Sequence, residues 1–193
     1  ENMSEFFTLA QIDEVAGAIR SQVTDLPQIG IILGSGLGGL ANAPQQATVI
    51  PYDRLPYWPV STVIGHAGRL IIGNLEGHQV MMMQGRAHYY EGYSMAQVAL
   101  PVRAMQRLGI KILIVTNAAG GVNPNFNPGE LMLIVDHINM IGMAGLSSLR
   151  GPNLDELGPR FPDMSRAYDP ALCDLARQVA KENNLTLREG VYC

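Results

Sequence analysis

The stretch "GIILGSGLGGL", from Gly30 to Leu40, decides the fold prediction, because a short apolar run leads directly into a cluster of glycines. The run at residues 31–33 predicts a strand. Bare backbone N–H groups and the hydroxyl of Ser35 at the exit of such a strand suit a single anion. The same letters also fit a tight turn with an incidental serine, so two interpretations of the loop stay open.

The glycines of this stretch also have the spacing G-x-G-x-x-G, at Gly34, Gly36 and Gly39, which is typical of dinucleotide-binding folds. That fold needs a helix directly after the glycines and then a parallel strand, a crossover of at least about 10–12 residues. Here Pro44 interrupts the next residues, and a strand-like run begins at Ala47. An NAD-dependent dehydrogenase is therefore disfavoured.

The composition of the chain indicates one globular domain, residues 1–193. Of these residues, 47% are hydrophobic and 16% are charged, a balance that allows a sizeable core. A net charge of −4 and the lack of a basic run disfavour nucleic acid or an anionic membrane as a partner. No apolar stretch approaches the roughly 20 residues of a membrane span.

The cysteines and the N-terminal segment bear on metal binding and on the compartment. Cys173 and Cys193 are too few for a disulfide framework, and no Cys/His cluster has metal-ligand spacing, so no metal site is predicted. The opening segment "ENMSEFFTLAQ" is acidic and lacks the apolar core of a signal peptide. We therefore expect a cytoplasmic protein.

Hydrophobic periodicity predicts an α/β fold with a mixed central sheet flanked by helices. Two apolar runs in residues 69–85 predict a hairpin. The run at residues 111–117 is apolar and branched, and we expect it to be a fully buried strand. Three helices are predicted in residues 11–23, 94–109 and 170–184, and further strands in residues 47–50, 130–136 and from Leu187 onward.

The chain ends within the strand that is predicted from Leu187. An interior strand seldom ends a domain, because its unpaired edge and its core face then lack a partner. We therefore expect residues 1–193 to be a single but incomplete domain, truncated at the C-terminus.

Three chemically distinct side chains follow the apolar run "VMMM". If the strand continues in extended form through "QGRAHYYEGY", then Arg86, His88 and Tyr90 share one face at period two. Arginine supplies a planar fork for phosphate oxygens, histidine can donate to a phosphate or a sugar, and tyrosine can stack on a sugar. The triplet predicts an anion site beside a hydroxylic ligand, with a polar turn as the alternative.

The run at residues 111–117 leads into "TNAAGG", which begins with Thr116 and Asn117. Small residues at the carboxyl end of a buried strand let a ligand approach the backbone, and open α/β sheets bind ligands at those ends. A glycine-rich turn is the alternative. Taken alone, His66 in "GHAG" is interpreted as a turn residue, His78 as a hairpin residue and His137 as structural.

Six stretches together resemble the trimeric type of purine nucleoside phosphorylase. They are "ILGSGLGGL", "STVIGHAGRL", "MQGRAHYYEGY", "VTNAAGGVNP", "DHIN" and "LRGPNLDELGPRFPDMSRAYD", and they run in order from about Gly30 to Asp169. Each is short, but the collective pattern is far more specific than any one of them. The serine in "GSGLG" and the segment "RGPN…RFPDMS" favour this branch over the related methylthioadenosine phosphorylases.

The resemblance implies a role for each matching residue. His88 is implied to be catalytic and to contact both phosphate and ribose, and Phe161 to cover the ribose in the site of a neighbouring subunit of a homotrimer. The implied phosphate-binding residues are Ser35, His66, Arg86, Ala87, His88 and Ala118, and the implied nucleoside-binding residues are Tyr90, Asn117 and Phe161.

The activity implied by the resemblance is phosphorolysis of a purine nucleoside to a free base and ribose 1-phosphate. No cofactor is implied, and inorganic phosphate is the co-substrate. The family's base-reading glutamate and asparagine, a further phosphate-binding serine and a late histidine fall beyond Cys193. Base preference is therefore not predicted, and residues 1–193 alone are expected to be inactive. A non-catalytic phosphate- or nucleoside-binding fragment and a methylthioadenosine phosphorylase-like enzyme stay open as alternatives.

Overall fold

The structure of the chain is a computed structural model that describes residues 6–60 and 67–193. These ranges contain both helices and strands. The elements are α1 (Leu9–Arg20), β1 (Ile29–Leu33), β2 (Gln45–Pro51), β3 (Arg69–Leu75), β4 (His78–Gln84), α2 (Met95–Leu108), β5 (Ile112–Val115), β6 (Leu131–His137), α3 (Met140–Met143), α4 (Pro170–Glu182) and β7 (Leu187–Tyr192).

The chain divides into two compact units. The first contains Glu1–Ala118 and Ser148–Leu157, and the second contains Ala119–Ser147 and Gly158–Cys193. This division does not test the single domain expected from the sequence, which stays a prediction.

The first unit is built on a five-stranded sheet with the order β2-β3-β4-β1-β5. Strand β1 runs parallel to β4 and β5, whereas β3 is antiparallel to both β2 and β4. The predicted mixed central sheet is therefore confirmed. The glycine-rich stretch does not open a crossover helix, because β1 is followed by a short 3-10 helix at Gly38–Asn42 and then by β2.

The "VMMM" run of β4 is apolar throughout because both faces of the sheet are covered at this strand. Met81 and Met83 pack into the larger core cluster with buried residues of α1 and α2. Val80 and Met82 point to the opposite face, where they pack with residues of β1 and β3. The sheet thus holds β1 and β4 side by side between two apolar layers.

Local signals set the ends of the predicted elements. Ser94 caps α2, since its hydroxyl accepts from the Gln97 N–H and the Gln97 side chain accepts from the Ser94 N–H. Gly109 ends α2 with a φ of 94°, a conformation that glycine adopts at little cost. Glu76 and Gly77 both have positive φ in the β3–β4 turn, as a type I′ hairpin requires. The predicted helix and hairpin are confirmed.

The prediction that the strand after Lys111 is fully buried is wrong. Leu113, Ile114 and Val115 are 37%, 47% and 55% exposed. The reason is topological, because β5 is the last strand of its sheet and pairs on one side, with β1. An apolar run does not distinguish a central strand from an edge strand.

In the second unit β6 and β7 pair in parallel. Arg188 of β7 makes a two-point ion pair with Glu130, the residue before β6, at 2.9 and 2.7 Å. Leu172, Leu175 and Val179 of α4 are exposed, although they share one helix face as predicted. Across the described residues, no helix has both the length and the apolar character needed to span a bilayer.

Candidate active site

The first segment of the candidate site is the turn that follows β1. The Leu37 N–H donates to the Gly34 carbonyl at 3.2 Å and closes a β-turn, with Ser35 exposed within it. Gly36 has a φ of 87°, which the third position of a type II turn requires. We call residues 34–38 the glycine loop.

The glycine loop is tied to the end of β5. The Gly34 N–H donates to Thr116 Oγ1 at 2.8 Å, and the same hydroxyl donates to the Ile32 carbonyl at 3.1 Å. A Cβ at Gly34 would lie 2.4 Å from the Thr116 carbonyl oxygen and 2.7 Å from the Asn117 Cα. Only glycine allows this approach of two backbones, so the exits of β1 and β5 meet at one point.

The second segment follows β4, and here the predicted extended strand is wrong. Strand β4 ends at Gln84, Gly85 has a φ of 97°, and Tyr90 lies in a 3-10 helix at Tyr89–Glu91. The positive φ turns the backbone out of the sheet. The hydroxyl of buried Tyr52 donates to the Gly85 carbonyl at 2.7 Å and stabilises this turn.

The predicted triplet nevertheless comes together by this other route. Arg86 Nη1 donates to the Thr116 carbonyl at 2.7 Å, and Arg86 Nε lies 3.5 Å from His88 Nε2. The ring of Tyr90 stacks on that of His88, with centroids 4.8 Å apart. The turn at Gly85 after β4 therefore brings a guanidinium, an imidazole and a phenol together, beside the end of β5.

Glu91 is a functional candidate that the sequence reasoning missed. One carboxylate oxygen accepts from the His88 backbone N–H and lies 2.8 Å from His88 Nδ1. The Glu91 side chain is 2% exposed, and that of His88 is 24% exposed. A proton on Nδ1 satisfies this buried acceptor and directs Nε2 toward Arg86. The sequence signal that could have identified Glu91 is its H-x-x-E spacing from His88, which is typical of a capping box.

The remaining predicted residues occupy varied positions. Ala87 is 7% exposed, Asn117 is half-buried, and Ala118 is exposed. His66 lies outside the described residues. Phe161 belongs to the second unit and is 87% exposed. His78 begins the second strand of the hairpin, as predicted, and His137 pairs with Tyr168.

Within residues 6–60 and 67–193, no three His, Cys, Asp or Glu side chains are grouped so that they could hold a metal ion. The polar groups that do converge are those of Arg86 and His88, with the backbone of the glycine loop, and the Glu91 carboxylate is taken up by His88. The guanidinium and the backbone N–H groups are donors that suit an oxyanion.

Residues 28–193 match the model of the phosphorylase superfamily, and the chain belongs to this family. It is 56% identical over 181 residues to purine nucleoside phosphorylase 1 of Geobacillus stearothermophilus, covering 94% of this chain and 65% of the relative. It is 52% identical over 182 residues to purine nucleoside phosphorylase 1 of Bacillus subtilis, covering 94% of this chain and 66% of the relative. The chain thus spans a little under two thirds of the length of these relatives.

Solved structures give the same result for the fold. The purine nucleoside phosphorylase of Schistosoma mansoni in complex with inosine superposes with a TM-score of 0.90 at 45% identity, covering 100% of this chain and 67% of that chain. Isoform 2 from the same organism, in complex with cytosine and ribose-1-phosphate, also has a TM-score of 0.90 at 45% identity, covering 96% and 66% of the two chains. The resemblance and the fold class predicted from the sequence are confirmed.

Proposed function

We propose that this chain carries the phosphate- and ribose-binding part of a purine nucleoside phosphorylase. The proposed reaction converts a purine nucleoside and inorganic phosphate to a free purine base and ribose 1-phosphate. The observation that carries the proposal is that Arg86 and His88 lie beside the point where Gly34 and Thr116 are hydrogen-bonded, so that a guanidinium, a ring nitrogen and the backbone of the glycine loop can bind one oxyanion together. The names and identities of the relatives support the same activity.

The proposed phosphate site uses groups from all three strand exits. Arg86 offers a guanidinium fork and Ser35 its exposed hydroxyl. His88 Nε2, which is an acceptor when the proton is on Nδ1, can accept from the O–H of a hydrogen phosphate. Ala87 and Ala118 have no polar side-chain atom, so each can contribute only its backbone to the proposed site. His66, which lies outside the described residues, completes the proposed set.

The mechanism proposed for these residues is nucleophilic attack by phosphate on the anomeric carbon as the glycosidic bond breaks. Such cleavage passes through an oxocarbenium-like transition state. Phosphate held by Arg86 and His88 is close in space to the cationic sugar and stabilises it electrostatically. The bonding electrons leave with the base, and phosphate forms the new C–O bond. Phosphate is the co-substrate, and no cofactor enters the proposal.

The proposed nucleoside contacts extend outward from His88. Tyr90 is 74% exposed and stacks on His88, so its ring and hydroxyl are accessible to a sugar. Asn117 directly follows Thr116, and Phe161 is a largely exposed aromatic side chain. We propose that Phe161 acts in the site of a second copy within a homotrimer, in the cytoplasm.

The experiment that tests this function is a coupled assay for hypoxanthine released from inosine by the full-length gene product. Release that depends on phosphate and saturates with it is the expected result. Arg86→Ala should raise the phosphate KM strongly, roughly 10-fold or more, since a charge-assisted contact is lost. Phosphate binding without turnover would instead support the non-catalytic alternative, and release at the same rate without phosphate would contradict the proposal.

A further inference from the structure

We infer that Gln84 is a positioning residue that holds the glycine loop in the geometry that binds phosphate. The inference rests on the phosphate site proposed above. Gln84 is the last residue of β4, the strand whose exit leads to Arg86 and His88, yet its side chain reaches the loop that follows β1. It therefore joins two segments of the chain that the proposed site needs at a fixed separation.

Both ends of the Gln84 amide are used. Its Nε2 donates to the Gly38 carbonyl at 2.8 Å, and its Oε1 accepts from Arg69 Nε at 2.6 Å. Arg69 is the residue paired with Gln84 in the antiparallel β3–β4 ladder. Because Arg69 can only donate, it fixes the oxygen of the amide on its own side and so directs the NH2 group to Gly38.

The glycine loop depends on ties at its two ends. Its first residue, Gly34, is held by Thr116, and its last residue, Gly38, is held by Gln84. Between them, a Cβ built at Gly36 would meet no described atom within 4 Å. Side-chain packing therefore does not hold the middle of the loop, where Ser35 is exposed. The β-turn from Gly34 to Leu37 gives the middle of the loop its shape, and the end ties fix where that turn lies.

The sequence pattern of β4 agrees with this role. Residues 80–83 are buried and apolar, and this run ends with an amide at the position that faces the arriving loop. An apolar side chain at Gln84 would leave the Arg69 Nε–H and the Gly38 carbonyl without these partners, which has a free-energy cost for each group. We expect loss of the Gln84 hydrogen bonds to weaken phosphate binding more than nucleoside binding. In the proposed site the loop contacts phosphate, whereas the residues proposed to bind the nucleoside lie beyond His88.

The test is Gln84→Met in the full-length gene product, a neutral change of similar length that removes both hydrogen bonds. We expect the Kd of inorganic phosphate, measured by calorimetry, and the phosphate KM to rise roughly 3- to 30-fold. The inosine KM should change by less than about twofold. Gln79→Met is the matched control, since Gln79 is an exposed residue of the same strand at the far end of the hairpin, and it should leave both constants unchanged.

A second variant, Arg69→Lys, keeps the charge but removes the Nε–H that orients the amide. It should raise the phosphate Kd in the same direction by a smaller factor, and it decides the question if Gln84→Met does not fold. An unchanged phosphate Kd in a folded variant would overturn the inference, whatever happens to the thermal midpoint. If the wild type is active and the variants are unaffected, the inference alone fails. If the wild type neither binds phosphate nor uses it, the proposed function fails as well.

Discussion

At the scale of single residues, two features define the candidate site. The backbone at Gly34 closely approaches that at Thr116, and the carboxylate of Glu91 is buried against His88. Gly34 and Thr116 are 82 positions apart, yet they are joined by a hydrogen bond. His88 and Glu91 are three positions apart, and one carboxylate oxygen of Glu91 contacts both the backbone N–H and the ring of His88. These two arrangements make separate predictions.

Gly34→Ala should destabilise the protein by about 1–3 kcal/mol, because the new methyl group overlaps backbone atoms that cannot rotate away. The obstructing atom is the Thr116 carbonyl oxygen, 2.4 Å from the Cβ position. Gly39→Ala is the matched control, since its Cβ would meet no described atom within 4 Å. Urea denaturation of both variants measures the difference. Equal midpoints would contradict the close approach of the backbone at Gly34 to that at Thr116.

Glu91→Gln should lower kcat/KM for phosphate by roughly 10-fold, because the neutral amide holds the His88 ring less well than the carboxylate does. The backbone N–H of His88 keeps an oxygen acceptor in this variant, so the turn at Tyr89–Glu91 is retained. Steady-state kinetics and circular dichroism together check the prediction. A loss of helix signal equal to the loss of activity would indicate a folding defect instead.

At the scale of elements, the sequence predicted the helices and turns that depend on neighbouring residues. It did not predict features that depend on which strands pair. The helix α2 and the β3–β4 hairpin follow from patterns of neighbouring residues, and both are confirmed. The exposure of β5 depends on the strand order of the sheet, which periodicity does not encode. The triplet of Arg86, His88 and Tyr90 was predicted from an extended strand, but a positive φ at Gly85 produces it.

The same limit applies to the partners of the site. Tyr52 lies directly after β2 and donates to Gly85 after β4, a contact that no local pattern indicates. The segment that begins at Thr116 was predicted as a ligand-binding strand end, but the hydrogen bond between Thr116 and Gly34 was not. Glu91 is local and could have been identified from its spacing to His88. The resemblance to a family implied roles for the candidate site residues, whereas their contacts with residues distant in sequence are known only from the fold.

The pairing of β6 with β7 should be sensitive to acid. The hydrogen bond from Arg188 is the main cause that lowers the pKa of Glu130 from 4.5 to about 2. A pKa lowered by folding means that the ion pair stabilises the protein above about pH 4.5 and that this contribution is lost as the pH falls toward 2. The free energy of unfolding of Glu130→Gln should therefore approach that of the wild type as the pH decreases.

Denaturant titrations at several pH values between 5 and 2 measure this convergence. Gln79→Met is the control, because Gln79 is an exposed residue of β4 and the change removes no titratable group, so its difference from the wild type should stay constant. A gap between wild type and Glu130→Gln that widens with acid would contradict the assignment.

At the scale of the whole molecule, the proposed function makes Phe161 a test of assembly. It is 87% exposed, so its ring is accessible to a second copy of the chain. Under the proposed function, we expect light scattering to give a trimer. A fully active monomer would contradict the shared site.

Phe161→Ala should raise the KM for inosine roughly 10-fold while the phosphate KM stays unchanged, because the ring is proposed to cover the ribose and not the phosphate. Met164→Ala is the matched control, since Met164 lies in the same segment and is 64% exposed. Kinetics of both variants with each substrate varied in turn give the comparison. Equal effects of the two substitutions would remove Phe161 from the site.

The bond from Arg86 to the Thr116 carbonyl has a thermodynamic consequence for the arrival of an anion. Freezing a long, flexible side chain costs up to about 2 kcal/mol of conformational entropy. Because the guanidinium is already held by the backbone of a neighbouring strand, that loss is incurred during folding and is not repeated at binding. Calorimetric binding of phosphate should accordingly show little ordering of the protein, and the empty and occupied sites should differ mainly in the water they hold.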